Sequence, residues 1–509
     1  MNTNMKNYTR IFVLLLVFAI ISCSQPKQPN FLFIITDDQS YNTIAALGNN
    51  EIETPNMDKL VDEGIAFTQC FNQGSWSGAV CVASRTMLIT GQTLYNAPKN
   101  KSYLDSWAQL KNTNGNYEPT EVPTWAEVFS ENGYKTFITG KWHNASYSAI
   151  KGFEMGIGIG DGMYPSVDAN GDKNFAYNRP KEKNIWSPSD STLKGHWSPL
   201  VWDITSDDSG VKIASNLYEV NKHTSELYAD NAINYLQCAK DDKPFFMFVS
   251  FNAPHDPRQS PQTYVDKYPA SSIKIPKNYM HEHPFNQGDN NIRDEKLAPF
   301  PRTKEAVQLH ISEYYAIITH FDNELGRILK ALEESGQKDN TYIILTSDHG
   351  LALGQHGLMG KQNQYDHSVR MPFIIVGPDI EEGKRIDDMI YMQSVYATTC
   401  DLANIEIPES VEFKSIEGLL NGKSEGEEYI FGGYKHLQRM LRTDKYKLII
   451  YPKVNEIQLF DMENDPMEND NLAYNKEYKE TVKIMFTALV KKQKELGDNL
   501  ILELNKILD

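Results

Sequence analysis

The chain has 509 residues, with 50 Lys+Arg against 67 Asp+Glu, 40% hydrophobic and 23% charged residues. That balance excludes disordered, collagenous and disulfide-stapled miniprotein classes, and the length admits one large domain or roughly two to three ordinary ones. A formal charge of −17 without any Lys/Arg-rich block excludes nucleic acid as the expected partner, because phosphate contacts need a basic surface.

In chain order, Lys6 and Arg10 precede the apolar run Ile11 to Ile21, which is too short to span a bilayer and has the layout of a signal-peptide core. Export is therefore expected. The run ends in Ile20-Ile21-Ser22-Cys23, which resembles a bacterial lipobox whose Cys becomes the lipidated first residue; the alternative is an ordinary signal peptide with an incidental Cys. The expected location is a bacterial membrane surface, reached through a lipid anchor on Cys23. Loss of residues 1–22 would remove two positive charges and leave −19. Of the remaining cysteines, Cys70, Cys81, Cys238 and Cys400, a Cys70–Cys81 bridge fits the spacing, but no disulfide framework is implied.

The body alternates short Ile/Phe/Val/Tyr runs with helical patterns, which predicts an α/β fold with a large, mostly parallel buried sheet sandwiched by helices. Four runs end in polar clusters: Phe31–Ile35 in Thr36-Asp37-Asp38, Tyr134–Thr139 in Gly140-Lys141-Trp142-His143, Phe245–Phe251 in Asn252-Ala253-Pro254-His255-Asp256, and Tyr342–Leu345 in Thr346-Ser347-Asp348-His349-Gly350. Each has an ordinary reading as a helix cap or solvated turn. Because ligands in open α/β sheets bind at the carboxyl ends of strands, the four are expected to converge. Asp37, Asp38 and Asp348 form a hard-oxygen set suited to Ca²⁺ or Mg²⁺ rather than zinc.

Between the first two runs, Gly74 to Gly91 places Cys81 just before a helix that Gly91 should close. A helix N-terminus favours an activated nucleophile or a bound oxyanion. Further on, Gly156 to Gly162 (GIGIGDG) reads as a flexible loop, since it lacks the strand–helix context of a dinucleotide site. Asp168-Ala169-Asn170-Gly171-Asp172 starts like a calcium loop but has Arg179 where the distal Glu belongs. Trp186, Trp197 and Trp202 fall in a polar stretch that reads as an insertion, where the rings either stack on sugars or pin the loop. His281-Glu282-His283, followed by Pro284, reads as a surface turn. From Tyr429 the runs Tyr446–Tyr451 and Ile457–Phe460, then a helix from about Lys476 to Leu496, predict a small antiparallel sheet with one helix. His436, Arg439 and Arg442 lie there, either as sugar contacts or as solvated surface charge.

Cys81-Val82-Ala83-Ser84-Arg85 with Leu88, Thr90 and Gly91 resembles the C-x-P/A-S-R-x-x-L-x-T-G signature of type I sulfatases of the alkaline phosphatase superfamily. The other clusters match that family's motifs in order: Asp37-Asp38 and Asp348-His349 its metal pairs, Gly140 to His143 its GKWH element, and Pro254-His255 its substrate-side His. Gly360-Lys361 with Tyr365, Arg370 and Pro372 resembles its G-K-x(3)-Y/F-[DE]-x(3)-R-x-P run. The resemblance spans about residues 28 to 475. Together with the export segment, it divides the chain into a signal peptide at 1–22, a linker at 23–28, a catalytic domain at 29–424 and a C-terminal subdomain at 425–509. Two residues depart from the usual pattern. Ala83 stands where Pro is commoner, leaving the maturation enzyme open, and His349 stands where arylsulfatases carry Asn, as in the iduronate-type and polysaccharide-acting branches.

The resemblance implies that a maturation enzyme oxidises Cys81 to formylglycine, whose hydrate attacks sulfur, with one Ca²⁺ per chain held by Asp37, Asp38, Asp348, His349 and the modified Cys81. It further implies that Arg85 holds the formylglycine hydroxyl, that Lys141 and Lys361 bind sulfate oxygens, that His255 protonates the leaving oxygen, and that His143 accepts the proton that expels sulfate. His436, Arg439 and Trp197 are the candidate substrate contacts. The expected substrate is a sulfated carbohydrate, an algal polysaccharide such as ulvan or a glycosaminoglycan. Two alternatives remain at this point: a formylglycine-dependent phosphonate monoester or phosphodiester hydrolase, and a non-catalytic glycan-binding lipoprotein.

Overall fold

The computed structural model describes residues 27–104, 122–162, 187–192, 195–238 and 243–504. Cys23 with its apolar run, Asp168 to Asp172 and Trp186 lie outside the described residues. In chain order the strands are β1 (Asn30–Thr36), β2 (Ile65–Phe71), β3 (Gly74–Ser75), β4 (Lys135–Lys141), β5 (Met155–Gly160), β6 (Leu200–Ser206), β7 (Lys212–Ala214), β8 (Tyr218–Glu219), β9 (Phe245–Ser250), β10 (Thr341–Ser347), β11 (Arg370–Val376), β12 (Lys384–Tyr391), β13 (Ile430–Tyr434), β14 (Gln438–Arg442), β15 (Tyr446–Tyr451) and β16 (Glu456–Asp461).

The large sheet runs β12-β2-β11-β10-β1-β9-β4-β5-β6-β7, with β8 beside β6. Its centre, β10-β1-β9-β4-β5, is parallel throughout. Strands β1, β9 and β10 carry nearly unbroken apolar runs because both sheet faces are covered. Along β1, Leu32 and Ile34 join one core layer with the long helix Lys304–Glu334. Phe31, Phe33 and Ile35 join the opposite layer with Trp125 and Phe129 of the helix Trp125–Glu131. Rings interlock there, with Phe33 edge-on to Trp125 at 4.9 Å between centroids.

All four expected strands form, and because they are parallel neighbours their carboxyl ends lie along one edge of the sheet. The Gly-rich stretch is a correction. Gly156–Gly160 belongs to β5, paired with β4 on one side and β6 on the other. The missing side chains serve close packing rather than looping: a Cβ on Gly156 would meet the Ile204 side chain at 2.9 Å, and one on Gly162 would meet the His143 ring at 3.0 Å. Trp202 is likewise a buried core residue on β6 and belongs to no surface insertion.

The second sheet, β16-β15-β14-β13-β3, is antiparallel through β13 and is completed by β3, a two-residue strand contributed by the segment just before Cys81. A Cβ on Gly74 would lie 2.0 Å from the carbonyl oxygen of Gly433, so the two backbones touch directly. The helix Lys479–Leu496, preceded by a 3₁₀ turn at Lys476–Tyr478, packs on this sheet through Val482, Met485 and Leu489.

Gly140, next to last in β4, has φ +94°, and a Cβ there would sit 1.8 Å from the carbonyl oxygen of Ser250 on β9. Gly140→Ala is expected to wedge β4 from β9 and cost roughly 2–5 kcal/mol. Chemical denaturation of the variant beside the parent checks this; an unchanged midpoint and slope would show that the strands part freely.

Candidate active site

Each strand end delivers a charged side chain that the fold removes from water. Asp37 and Asp38 follow β1 and are both fully buried. The Asp37 N–H donates to Ala253 O at 3.0 Å, and Asp38 takes a left-handed φ of 74°. That conformation is uncommon outside Gly and is held from the long helix: the Tyr314 hydroxyl donates to Asp38 O and accepts from Ser40 N–H at 3.0 Å. Asp348 follows β10; its backbone carbonyl accepts from Asn72 Nδ2 at 2.8 Å and Ser84 Oγ at 2.7 Å.

Cys81 lies inside the first turn of the helix Val80–Thr90 rather than just before the helix as the sequence reading placed it, and Gly91 closes that helix in a left-handed C-cap. Its Sγ is 3.3 Å from both Lys361 Nζ and His349 Nε2. Burial opposes ionisation of the thiol, but Lys141, Lys361 and His349 outweigh it and hold the group well below the usual thiol range. Cys70 is a buried free thiol on β2, so the bridge allowed by spacing does not form.

The cations are matched one to one with carboxylates. Lys141 binds Asp37; Lys361 Nζ donates to Asp38 Oδ1 at 2.7 Å and Oδ2 at 3.0 Å; Arg85 Nε donates to Asp348 Oδ2 at 3.0 Å. Arg85 also reaches Lys141 O at 2.9 Å and Ser250 Oγ at 2.7 Å, tying the helix to β4 and β9. Burial and Cys81 work against ionisation of Asp37, yet Lys141, His255 and Lys361 bring it down to about 2. Asp348 goes the other way, pushed up to about 7 by burial and Asp37 against His349 and Arg85.

The two histidines on either side have opposite environments. For His255, burial and Lys361 disfavour the proton, but Asp38, Asp256 and Asp37 lift it to about 9. Its Nε2 lies 3.9 Å from Asp38 Oδ2, and its backbone carbonyl accepts from His196 Nε2 at 3.0 Å. His143, with φ 59°, is lowered to about 4 by burial and Lys141, which outweigh its hydrogen bond with Cys81. One imidazole thus holds its proton and the other stays neutral near pH 7.

Asp37, Asp38, Cys81 and His349 each offer a donor atom, all within 4.8 Å of one another, and Asp37 Oδ1 is buried without a hydrogen-bond partner. Two carboxylates, a thiol and an imidazole converging in this way fit a bound metal ion. Asp348 borders the group: its Oδ1 accepts from Asp38 N–H at 3.2 Å and lies 3.6 Å from His349 Nε2.

The three candidate substrate contacts fare differently. Arg439 is a correction: it is buried, and its Nε and Nη2 donate to Asp498 at 2.6 and 3.0 Å, so it is neither a sugar contact nor solvated charge. Arg442 is also buried, donating to Gln69 Oε1 at 2.8 Å. Trp197 pins its loop, its indole N–H donating to Pro188 O at 3.2 Å and its ring edge-on to His223. His436 is exposed on the turn between β13 and β14. Sequence reasoning missed Asp294, whose Oδ2 is 4.0 Å from Lys361 Nζ, because it sits in an irregular loop with no strand-end signal.

A family model described as "Sulfatase" matches residues 29–405, and one described as "N-sulphoglucosamine sulphohydrolase, C-terminal" matches 354–495. The chain belongs to the sulfatase family. It is 30% identical to an arylsulfatase of Clostridium perfringens, over 91% of this chain and 94% of that protein, and 26% identical to an ulvan-active sulfatase of Formosa agariphila, over 96% and 88%. A solved structure of a protein in complex with its substrate D-glucosamine-2-N,6-O-disulfate superposes with a TM-score of 0.70 at 23% identity, covering 93% of this chain and 99% of that one. The sulfatase fold and sulfuric ester hydrolase class follow, and they set aside the reading of a non-catalytic glycan-binding lipoprotein.

Arg85 and Asp348 are 1% and 0% exposed. Arg85→Met in this sulfatase should therefore leave a buried carboxylate unpaired and cost roughly 3–5 kcal/mol. Turnover should fall about 100-fold or more through loss of charge stabilisation. Thermal unfolding and initial rates together check this, and a variant matching the parent in both would refute the role.

Proposed function

We propose that this sulfatase hydrolyses a sulfate ester on a carbohydrate, with formylglycine made from Cys81 and Ca²⁺ bound at Asp37, Asp38, Asp348 and His349. The observation that carries the reading is Cys81 in the first turn of its helix, with Lys361 and His349 both at 3.3 Å. A modified Cys81 would supply a hydrated aldehyde as nucleophile, and the dication would supply positive charge to a sulfate oxygen.

The remaining work falls to this chain's side chains. Lys141 and Lys361 are compact point charges for the sulfate oxygens. Arg85 neutralises Asp348 and orients the first turn of the helix. His255 gives its Nε2 proton to the departing sugar oxygen, which leaves poorly as an alkoxide. His143 accepts a proton on the Cys81 side as sulfate is released.

The ulvan-active relative and the disulfated glucosamine named for the solved structure support sulfated glycans as the substrate class, with ulvan and glycosaminoglycan fragments as the leading candidates. We also propose export and a lipid anchor on Cys23; fatty-acid labelling that persists in Cys23→Ser would overturn it.

Sulfate release is expected from a panel of ulvan and glycosaminoglycan oligosaccharides, run beside phosphonate and phosphodiester controls. Preferential phosphonate turnover would favour the phosphonate hydrolase reading instead. Cys81→Ala should abolish turnover with the fold intact, and mass spectrometry of the Cys81 peptide should find the aldehyde; unmodified thiol in an active preparation would sink the formylglycine route. Ca²⁺ at a hundred times its Kd should stabilise the parent by about 2.7 kcal/mol. Its thermal shift should be absent in Asp37→Asn, and an equal shift there would place the ion elsewhere.

A further inference from the structure

A groove of about 380 Å³ opens beside the Lys361 loop, of the size that receives small molecules. It contributes nothing to the charge cluster, yet one wall is common to both. The 3₁₀ turn Asp294–Leu297 turns Asp294 towards Lys361, 4.0 Å away, while Ile292 and Glu295 on either side of it line the groove. Glu295 also accepts the N–H groups of Met359 and Gly360, at 3.0 Å each, immediately before Lys361. A ligand in the groove therefore sits against the segment that carries the sulfate-facing lysine.

Two phenyl rings line it, and both are braced by neighbouring side chains. Phe300 is 55% exposed, and the Arg302 guanidinium lies 3.7 Å from its ring centroid. Arg302 itself is fully buried and donates to Gly357 O at 3.2 Å. Phe285 is edge-on to Tyr451 of β15 at 4.8 Å. Rigid rings that keep an exposed edge or face bind apolar surface at little ordering cost. The side-chain amide of Asn290 adds hydrogen-bonding capacity at the rim.

Charge decides what kind of sugar fits. Glu282, Asp289 and Glu295 line the groove, whereas Arg302 is committed to Glu295 and backbone carbonyls. A sulfated or carboxylated ring would meet carboxylates there, while an uncharged pyranose would meet aromatic faces and amides. We propose that this groove is a subsite for an uncharged sugar ring of the substrate, adjoining the ring whose sulfate is removed. The proposal rests on the glycan reading above.

The test compares Phe300→Ala with the parent on a sulfated oligosaccharide of three or more rings, on the matching sulfated monosaccharide and on an aryl sulfate. With stacking lost, kcat/KM for the oligosaccharide should fall roughly fivefold to tenfold, through KM. Both short substrates should be unaffected, and Phe300→Tyr should restore the parent value. Equal kcat/KM of variant and parent on the oligosaccharide, or the same fractional loss on all three substrates, would overturn the subsite while leaving the glycan reading standing. Aryl sulfate turnover with no hydrolysis of any glycan would overturn both.

Discussion

Everything at the site depends on burying three carboxylates and three cations together. Asp37, Asp38 and Asp348 have essentially no solvent exposure, and each has its own partner in Lys141, Lys361 or Arg85. An isolated charge in that position would be untenable, since desolvation costs several kcal/mol per ion after relaxation. The six groups come from five separate segments, so the charges can be satisfied only when the sheet, the Val80–Thr90 helix and the Lys361 loop are all in place. Sulfate chemistry needs this concentration of positive charge, and a protein of net charge −17 supplies it at a single edge.

The C-terminal sheet is the second support. Lys447 on β15 donates to Asp366 Oδ1 at 2.8 Å and pairs with Glu468 at 2.7 Å, while Glu468 accepts the Asp366 N–H at 2.8 Å. Tyr365 stacks on His356 at 3.9 Å and donates to Gln458 Oε1 at 2.9 Å on β16. These contacts hold the segment around Lys361 from its far side. Strand β3 holds the segment leading to Cys81 in the same way, through its pairing with β13. Cys81 and Lys361 are thus both braced by the smaller sheet.

Most of the site was legible because its residues lie at, or a few positions beyond, the carboxyl ends of apolar strands. Asp37, Lys141, His255 and Asp348 could be read that way, since parallel neighbours must end on the same side. The glycine run at 156–162 was misread because local composition carries no record of the Ile204 and His143 side chains that fill the space above it. Arg439 was misread for the same reason: a charged residue on a short strand looks solvated until Asp498, fifty-nine positions later, is found against it. Asp294 and Phe300 lie in irregular chain with no period to read.

The sequence by itself determined the alternation that builds a parallel sheet, the order of polar clusters at its strand ends and the helix next to Cys81 that Gly91 closes, because these rest on local periodicity and on chemistry within a few residues. Tertiary structure alone decided which carboxylate each cation would neutralise, that Asp38 adopts a left-handed backbone under Tyr314, and that a carboxylate-lined aromatic groove shares the Asp294–Leu297 turn with the buried charge cluster. Those outcomes depend on contacts between segments hundreds of residues apart. Their energies arise only when water is excluded from between them.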